Sequence, residues 1–166
     1  MFASLNRVAR SVSIFHNPAS PPSLKALELL QKAVSGPYPP DTASNPPLYF
    51  NLDVVEGPPT KDQLETISSY VKTSGQQPAS SIFLSAHPSS PYDGNQPLTF
   101  GGVAQAISHN PNALKWPIVV DWFGGKASVG DVEGVKKILE DLRRERDEVR
   151  PEEKVETSGK SWFKIW

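Results

Sequence analysis

The side chains that carry most enzyme chemistry are scarce in this sequence. It contains no cysteine, so it offers no thiolate nucleophile, no disulfide and no zinc–thiolate site. Its three histidines, His16, His87 and His109, are widely spaced, and no HExxH-type pair can be written. We therefore expect neither thiol chemistry nor a metal site, and we interpret His87 and His109 as surface residues.

The densest group of candidate ligands follows the first predicted strand. His16, Asn17, Ser20 and Ser23 lie where that strand passes into a helix. A helix N-terminus with hydroxyl donors can hold a small anion. The alternative is structural: His16 and Asn17 hold the turn, and Ser23 caps the helix. We favour the structural interpretation, because these residue types are common turn formers and caps.

One carboxylate interrupts an apolar strand. Asp121 follows two valines in the strand predicted over residues 117–122. It could act as a general base, but the sequence places no obvious partner beside it. We expect Asp121 to accept a backbone hydrogen bond or to face solvent.

Composition and charge exclude several classes of function. Among 166 residues, 17 lysines and arginines nearly balance 18 acidic residues, giving a formal net charge of −1. Nucleic-acid binders usually carry a strong basic excess. The apolar runs are far shorter than the roughly 20 residues that span a bilayer. We expect a soluble protein that binds no nucleic acid and spans no membrane.

The first ten residues are basic and apolar. Residues 1–10 contain Arg7 and Arg10, and no acidic residue precedes Glu28. This composition is typical of a mitochondrial targeting segment, and a short positively charged terminus is the alternative. We expect a soluble protein of the mitochondrial matrix.

Strand and helix patterns alternate over residues 11–150, which we interpret as one domain. The strands are predicted at 11–16, 48–55, 117–122 and 127–129, and the helices begin at Ser23, at Thr60, near Phe100 and near Asp131. Residues 73–97 are predicted to be a long irregular loop, and Pro151 is predicted to end the last helix. The order β-α-β-α-β-β-α indicates an α/β fold with a mixed four-stranded sheet, the thioredoxin-like arrangement.

The end of the chain is charged and then aromatic. Residues 151–166 finish with four large apolar side chains in six positions. They are Trp162, Phe163, Ile165 and Trp166. Such side chains suit a protein partner, but they could equally fold back over their own domain. Residues 73–97 are a second candidate contact surface for a partner.

Three segments in register resemble the arsenate-reductase branch of the thioredoxin-like superfamily. They are IFHNPASPPSLKALELL at 14–30, EGPPTKDQL at 56–64 and KWPIVVDWFGGKASVG at 115–130. The resemblance covers roughly residues 11–142. It implies a strand, an active-site turn and a helix at the first segment, and a cis proline at Pro117, after Trp116, beside that turn.

A fungal family of mitochondrial proteins, proposed to be redox proteins, is similar in further detail. The likeness includes VDW at 120–122, TFG at 99–101 and the basic N-terminus. It implies a mitochondrial protein that reduces small toxic molecules. It also implies cysteine positions at Ser20, from the arsenate reductases, and at Ile107, from the fungal family, where this chain has no thiol.

The oxyanion clamp that the resemblance implies is also missing. The arginine expected before the strand proline is Trp116, and no arginine lies between Arg10 and Arg143. Arsenate needs charge-assisted donors, so its reduction is excluded on two counts. We therefore expect a non-catalytic interaction or assembly module without cofactor. The alternative is a glutathione-dependent oxidoreductase or transferase without a protein thiol, with Ser20, Trp116 and Pro117 near the reacting group.

Overall fold

Four strands and five helices form the part of the chain that the computed structural model describes, residues 10–71, 77–85 and 99–163. In chain order they are β1 (Arg10–His16), α1 (Pro21–Ser35), β2 (Phe50–Glu56), α2 (Lys61–Tyr70), α3 (Ala79–Phe83), α4 (Phe100–His109), β3 (Ile118–Asp121), β4 (Lys126–Val129) and α5 (Val132–Phe163). A short 3₁₀ turn, Pro111–Ala113, follows α4.

The strands form one mixed sheet in the order β2-β1-β3-β4. β1 and β2 are parallel, with Val12 opposite Leu52. β3 runs antiparallel to both β1 and β4. The α/β class and the mixed four-stranded sheet predicted from the sequence are confirmed. Parallel β1 and β2 are joined through α1, whereas a tight turn suffices for antiparallel β3 and β4.

Helices cover both faces of the sheet. Successive residues of a strand point to opposite faces, so Ile14 and Phe15 enter different cores. Ile14 packs in the core that α1 and α5 close, with Leu30 and Leu139. Phe15 packs in the core that α2, α3 and α4 close, with Ile107. β1 is therefore buried on both sides, and its residues from Val12 to His16 are all buried, including the polar Ser13 and His16.

The N-cap of the first helix lies three residues earlier than predicted. Ser20 is the N-cap of α1, and Pro21 occupies the first helical position, where proline loses no intrahelical hydrogen bond. The prediction that Ser23 caps this helix is wrong, because its hydroxyl is bonded to His16 instead. The capping box predicted at Thr60 and Gln63 of α2 is confirmed.

One helix lies within the segment predicted to be irregular. α3 spans Ala79–Phe83, so the prediction of a loop throughout 73–97 is wrong at these residues. Phe83 is fully buried and meets Phe100 of α4 edge to face, with 6.4 Å between the ring centroids. Burial of Phe83 stabilises a turn of helix that the Ser- and Pro-rich composition does not favour.

The last helix continues through Pro151. The prediction that this proline ends α5 is wrong, because the helical backbone extends to Phe163. Proline disfavours a helix interior by about 3 kcal/mol, but the neighbouring Glu, Lys and Arg residues are strong helix formers. Ion pairs along the helix also favour it: Arg143 bonds Glu140 one turn before and Asp147 one turn after. The division between a domain ending at residue 150 and a tail stays a prediction.

The same helix anchors the loop before β2. Arg146 is largely buried, and its Nη1 donates hydrogen bonds of 2.6 Å to the carbonyl oxygens of Tyr38 and Pro46. These contacts join residues about a hundred positions apart in the chain. In the described residues, no helix is both long and apolar enough to cross a bilayer.

Candidate functional site

The candidate site lies at the carboxyl end of β1, where ligands bind in many open α/β sheets. A shallow groove of about 360 Å³ opens there. It is lined by the turn after β1, the loop after β2 and the segment before β3: His16, Asn17, Pro18, Glu56, Gly57, Pro58, Pro111, Asn112 and Trp116. The fold thus brings three predicted site residues, His16, Asn17 and Trp116, to one groove. Ser20, Ser23 and Pro117 do not line it.

The hydroxyl of Ser23 is committed to the fold. Ser23 is fully buried in the first turn of α1, and its Oγ lies 2.7 Å from Nδ1 of the buried His16. The same Oγ accepts a 3.0 Å hydrogen bond from the backbone N–H of Asn17. With the imidazole proton on Nε2, the Ser23 hydroxyl donates to Nδ1 while its oxygen accepts from the Asn17 N–H. These contacts support the structural interpretation of His16 and Ser23.

The turn between β1 and α1 is held by Asn17. Its Oδ1 accepts a 3.0 Å hydrogen bond from the N–H of Ala19, and its carbonyl oxygen accepts one from the N–H of Ser20. Ser20 has extended backbone dihedrals, and its side chain makes no capping bond. Its carbonyl oxygen accepts the first helical bond, from Leu24. Ser20 therefore stands at the helix N-terminus without a base to activate its hydroxyl among the contacts of the described residues.

The opposite wall of the groove is an aromatic side chain. The Trp116–Pro117 peptide bond is cis, which confirms the prediction made for it. The Trp116 ring is nearly buried, and its Nε1 donates a 2.8 Å hydrogen bond to the carbonyl oxygen of Pro111. Glu56 is the charged residue in this lining as the structure describes it, and no lysine or arginine faces it there. The groove is therefore unsuited to binding an oxyanion.

Asp121 supports the hairpin rather than a reaction. Its carboxylate is buried, and Oδ1 accepts a 2.9 Å hydrogen bond from the backbone N–H of Gly124. Arg10 approaches the other oxygen at 3.6 Å and lies over the ring of Phe123, with 4.8 Å from its guanidinium carbon to the ring centroid. The expected backbone hydrogen bond is confirmed. Arg10, the ion-pair partner of Asp121, was not predicted from the sequence, because residue 10 was assigned to the targeting segment.

The remaining candidates lie away from the groove. Ile107 is buried in the core that α2, α3 and α4 close, so this position serves packing. His109 is exposed at the last position of α4. His87, Ile165 and Trp166 lie outside the described residues, as do the side chains of Trp162 and Phe163. No cluster of three or more metal-ligating side chains occurs within the described ranges.

Comparison with solved structures identifies the fold. An arsenate reductase from Vibrio cholerae superposes with a TM-score of 0.51 at 20% identity, over 78% of this chain and 98% of that one. A candidate arsenate reductase from Yersinia pestis has a TM-score of 0.49 at 24% identity, over the same shares. The first likeness confirms the predicted thioredoxin-like fold, and at this identity it shows the fold alone.

Comparison of sequences adds a family. The sequence model described as "Protein of unknown function (DUF1687)" matches residues 2–130. No curated protein matches the chain.

Proposed function

We propose a function for this chain, which belongs to the DUF1687 family of proteins of unknown function. The chain works as a non-catalytic interaction or assembly module of the mitochondrion, built on a thioredoxin-like domain. The observation that carries the proposal is the chemistry of the groove at the end of β1. His16, which lines the groove, is bonded to the buried hydroxyl of Ser23 behind it and so helps hold α1 against β1. The charged residue of the lining is Glu56.

The serine at the implied cysteine position does not restore a reductase. A serine hydroxyl ionises only at a pH several units above any thiol and cannot form a mixed disulfide. Ser20 would therefore need a neighbouring base, and its described contacts are backbone hydrogen bonds. Electron transfer through a protein thiol has no route in a chain without cysteine.

The mitochondrial part of the proposal rests on the N-terminus and on the family resemblance. Residues 1–10 contain two arginines and no acidic residue, as targeting segments do. The fungal proteins that the sequence resembles carry a similarly short and basic beginning. A fusion of residues 1–20 to a fluorescent protein tests this point, with Arg7→Glu and Arg10→Glu together as the control. Diffuse fluorescence of the unmodified fusion would contradict it.

A native-size measurement tests the interaction module. The full chain, carrying an internal tag, is run through gel filtration from a gentle mitochondrial lysate. We expect it to elute in an assembly much larger than one chain. Elution as a free monomer at native expression level would contradict the proposal.

The aromatic tail is the first surface to test for that assembly. In one variant, serine replaces the four large apolar residues Trp162, Phe163, Ile165 and Trp166. In the matched control, serine replaces Lys160 and Lys164. If the tail binds a partner, the first variant leaves the assembly with its thermal stability little changed, and the control stays in it. A large loss of stability in the first variant would show instead that the tail belongs to the domain.

A glutathione titration tests the alternative chemistry. Any ligand that binds only the folded state stabilises it by about 2.7 kcal/mol at a hundredfold excess over its Kd. We expect no change in the unfolding midpoint at millimolar glutathione, because the carboxylate of Glu56 faces a ligand that carries two carboxylates. A saturable increase, weakened by Trp116→Ala, would establish a glutathione site and overturn the non-catalytic assignment.

A further inference from the structure

The strand β4 ends the sheet, and some of its backbone hydrogen-bonding groups point away from β3. The backbone N–H of Gly130 donates to the carbonyl oxygen of Pro117 at 2.8 Å, which identifies that pair as a hydrogen-bonded one. Hydrogen-bonded and non-hydrogen-bonded pairs alternate along an antiparallel ladder. Ser128 therefore bonds β3, whereas the N–H and C=O groups of Ala127 and Val129 point away from it. Nothing in the described residues bonds these four outward groups.

A groove runs along this open edge. It measures about 610 Å³, and β4 forms part of its lining. Tyr70 of α2 and Ile82 of α3 line one side, and Lys137 and Ile138 of α5 line the other. The spacing of strands in a sheet is about 4.8 Å, so an extended chain bonded to β4 would lie in this groove between the helices.

Among the described residues, the groove carries more positive than negative charge. Lys126 forms a 2.8 Å ion pair with Asp141, which cancels both charges. Lys115 donates a 2.7 Å hydrogen bond to the carbonyl oxygen of Ser81, a neutral acceptor. Lys137 has no ion pair with any described residue. Two lysines against one remaining carboxylate, Asp131, leave the groove basic in a chain whose net charge is −1.

The other edge of the sheet has the opposite character. The side chains of Asp53 and Glu56 are exposed on β2, and no lysine or arginine belongs to that strand. Charged side chains on an edge strand discourage pairing with other chains. An acidic strand would be repelled at β2 and attracted at β4, so the two edges differ in which chain they accept.

We propose that the edge of β4 binds an extended acidic segment of a partner protein as a fifth strand. Backbone hydrogen bonds to Ala127 and Val129 hold the segment, and Lys115 and Lys137 select carboxylate side chains on it. The proposal rests on the proposed function as an interaction module and names the surface and the partner chemistry. Lys115 lies on the α3 side of the groove, where it bonds Ser81, and Lys137 lies on the α5 side. Because successive side chains of a strand point to opposite faces, acidic residues on both faces of the segment meet the two lysines.

Two substitutions remove the two sources of binding separately. Ala127→Pro deletes an outward N–H, and proline is tolerated on an edge strand where the N–H faces away from the sheet. Lys137→Glu reverses the charge of the unpaired lysine. Lys136→Glu is the matched control, because Lys136 is the neighbouring exposed lysine and does not line the groove.

The probe is a displayed library of random dodecapeptides, selected on the full chain. We expect enriched peptides to carry acidic residues on both faces of the bound strand, at positions an odd number of residues apart. A synthetic copy of the most enriched peptide should bind at least tenfold more weakly to the Ala127→Pro and Lys137→Glu variants and equally to Lys136→Glu. It should also slow amide hydrogen exchange at Ala127 and Val129.

Other results would overturn the proposal. They are the absence of any enriched peptide, enriched peptides without acidic character, and equal binding to all variants. Outward amides already protected in the free protein would show that another segment of this chain holds the edge. A dimer that Ala127→Pro dissociates would show that a second copy does.

The native-size measurement separates this proposal from the proposed function. If the Ala127→Pro variant folds and stays in the large assembly, the edge proposal fails and the interaction module stands. If the unmodified chain is monomeric in the lysate, the interaction module fails whatever the peptides show.

Discussion

The two serines at the start of α1 should respond very differently to truncation. Ser23→Ala removes the oxygen that joins His16 to the backbone of Asn17. A buried polar group left without a partner costs about 1–3 kcal/mol. The full penalty applies to the buried Nδ1 of His16 and part of it to the half-buried N–H of Asn17. We therefore expect the free energy of unfolding to fall by about 2 kcal/mol. Ser20→Ala removes a hydroxyl that makes no capping bond, and we expect a loss below about 0.5 kcal/mol.

Urea unfolding followed by tryptophan fluorescence measures both losses. The slope of the unfolding free energy against urea should not change, so the shift in midpoint reports stability directly. For a domain of this size, a loss of about 2 kcal/mol lowers Tm by roughly 4–8 °C. Equal losses for the two variants, or a larger loss for Ser20→Ala, would refute the conclusion that the Ser23 hydroxyl stabilises the fold and the Ser20 hydroxyl does not.

Three further predictions follow from contacts between elements. Arg146→Ala should lower the unfolding free energy by about 2 kcal/mol in urea titration, because its two hydrogen bonds to loop carbonyls are charge-assisted, whereas Arg144→Ala at an exposed position should change it by less than about 0.5 kcal/mol. The hydrogen bond to Arg143 lowers the pKa of Glu140 below its ordinary value of 4.5. The ionised Glu140 therefore stabilises the fold above pH 4.5, and this stabilisation is lost as the pH falls through the lowered pKa. Urea midpoints measured across this pH range should fall less in Glu140→Gln, and an identical fall would contradict the ion pair's contribution. Gly124→Ala should lower the thermal midpoint, because a Cβ there would overlap the buried carboxylate of Asp121, and an unchanged midpoint would show that the hairpin adjusts freely.

Local patterns predicted most of the elements. The capping box at Thr60 and Gln63 needs only residues three apart, and the structure contains it as predicted. The β-branched and aromatic residues at 11–16 predicted a strand, and the structure places β1 in the interior of the sheet between β2 and β3. Such signals are readable because the interacting residues are neighbours in the chain.

The candidate site could be located from the sequence but not understood from it. The motif at 14–30 correctly predicted that His16, Asn17 and Ser23 lie together at the carboxyl end of β1. Which hydroxyl caps α1 and which bonds the imidazole depended on the exact start of the helix, which shifted by three residues from Ser23 to Ser20. An error of that size is small for a boundary but exchanges the roles of the two serines.

The sequence by itself determined that this chain has no thiol and no arginine between Arg10 and Arg143, and that its strands and helices alternate in an α/β order. Those facts depend on composition and short-range periodicity. Only the tertiary structure decided that Phe83 organises a helix in a polar segment, that Arg146 reaches the loop before β2, and that Lys115 and Lys137 share a groove beside an open strand. These contacts join residues tens of positions apart, and no local pattern encodes which distant groups the packing of the sheet will bring together.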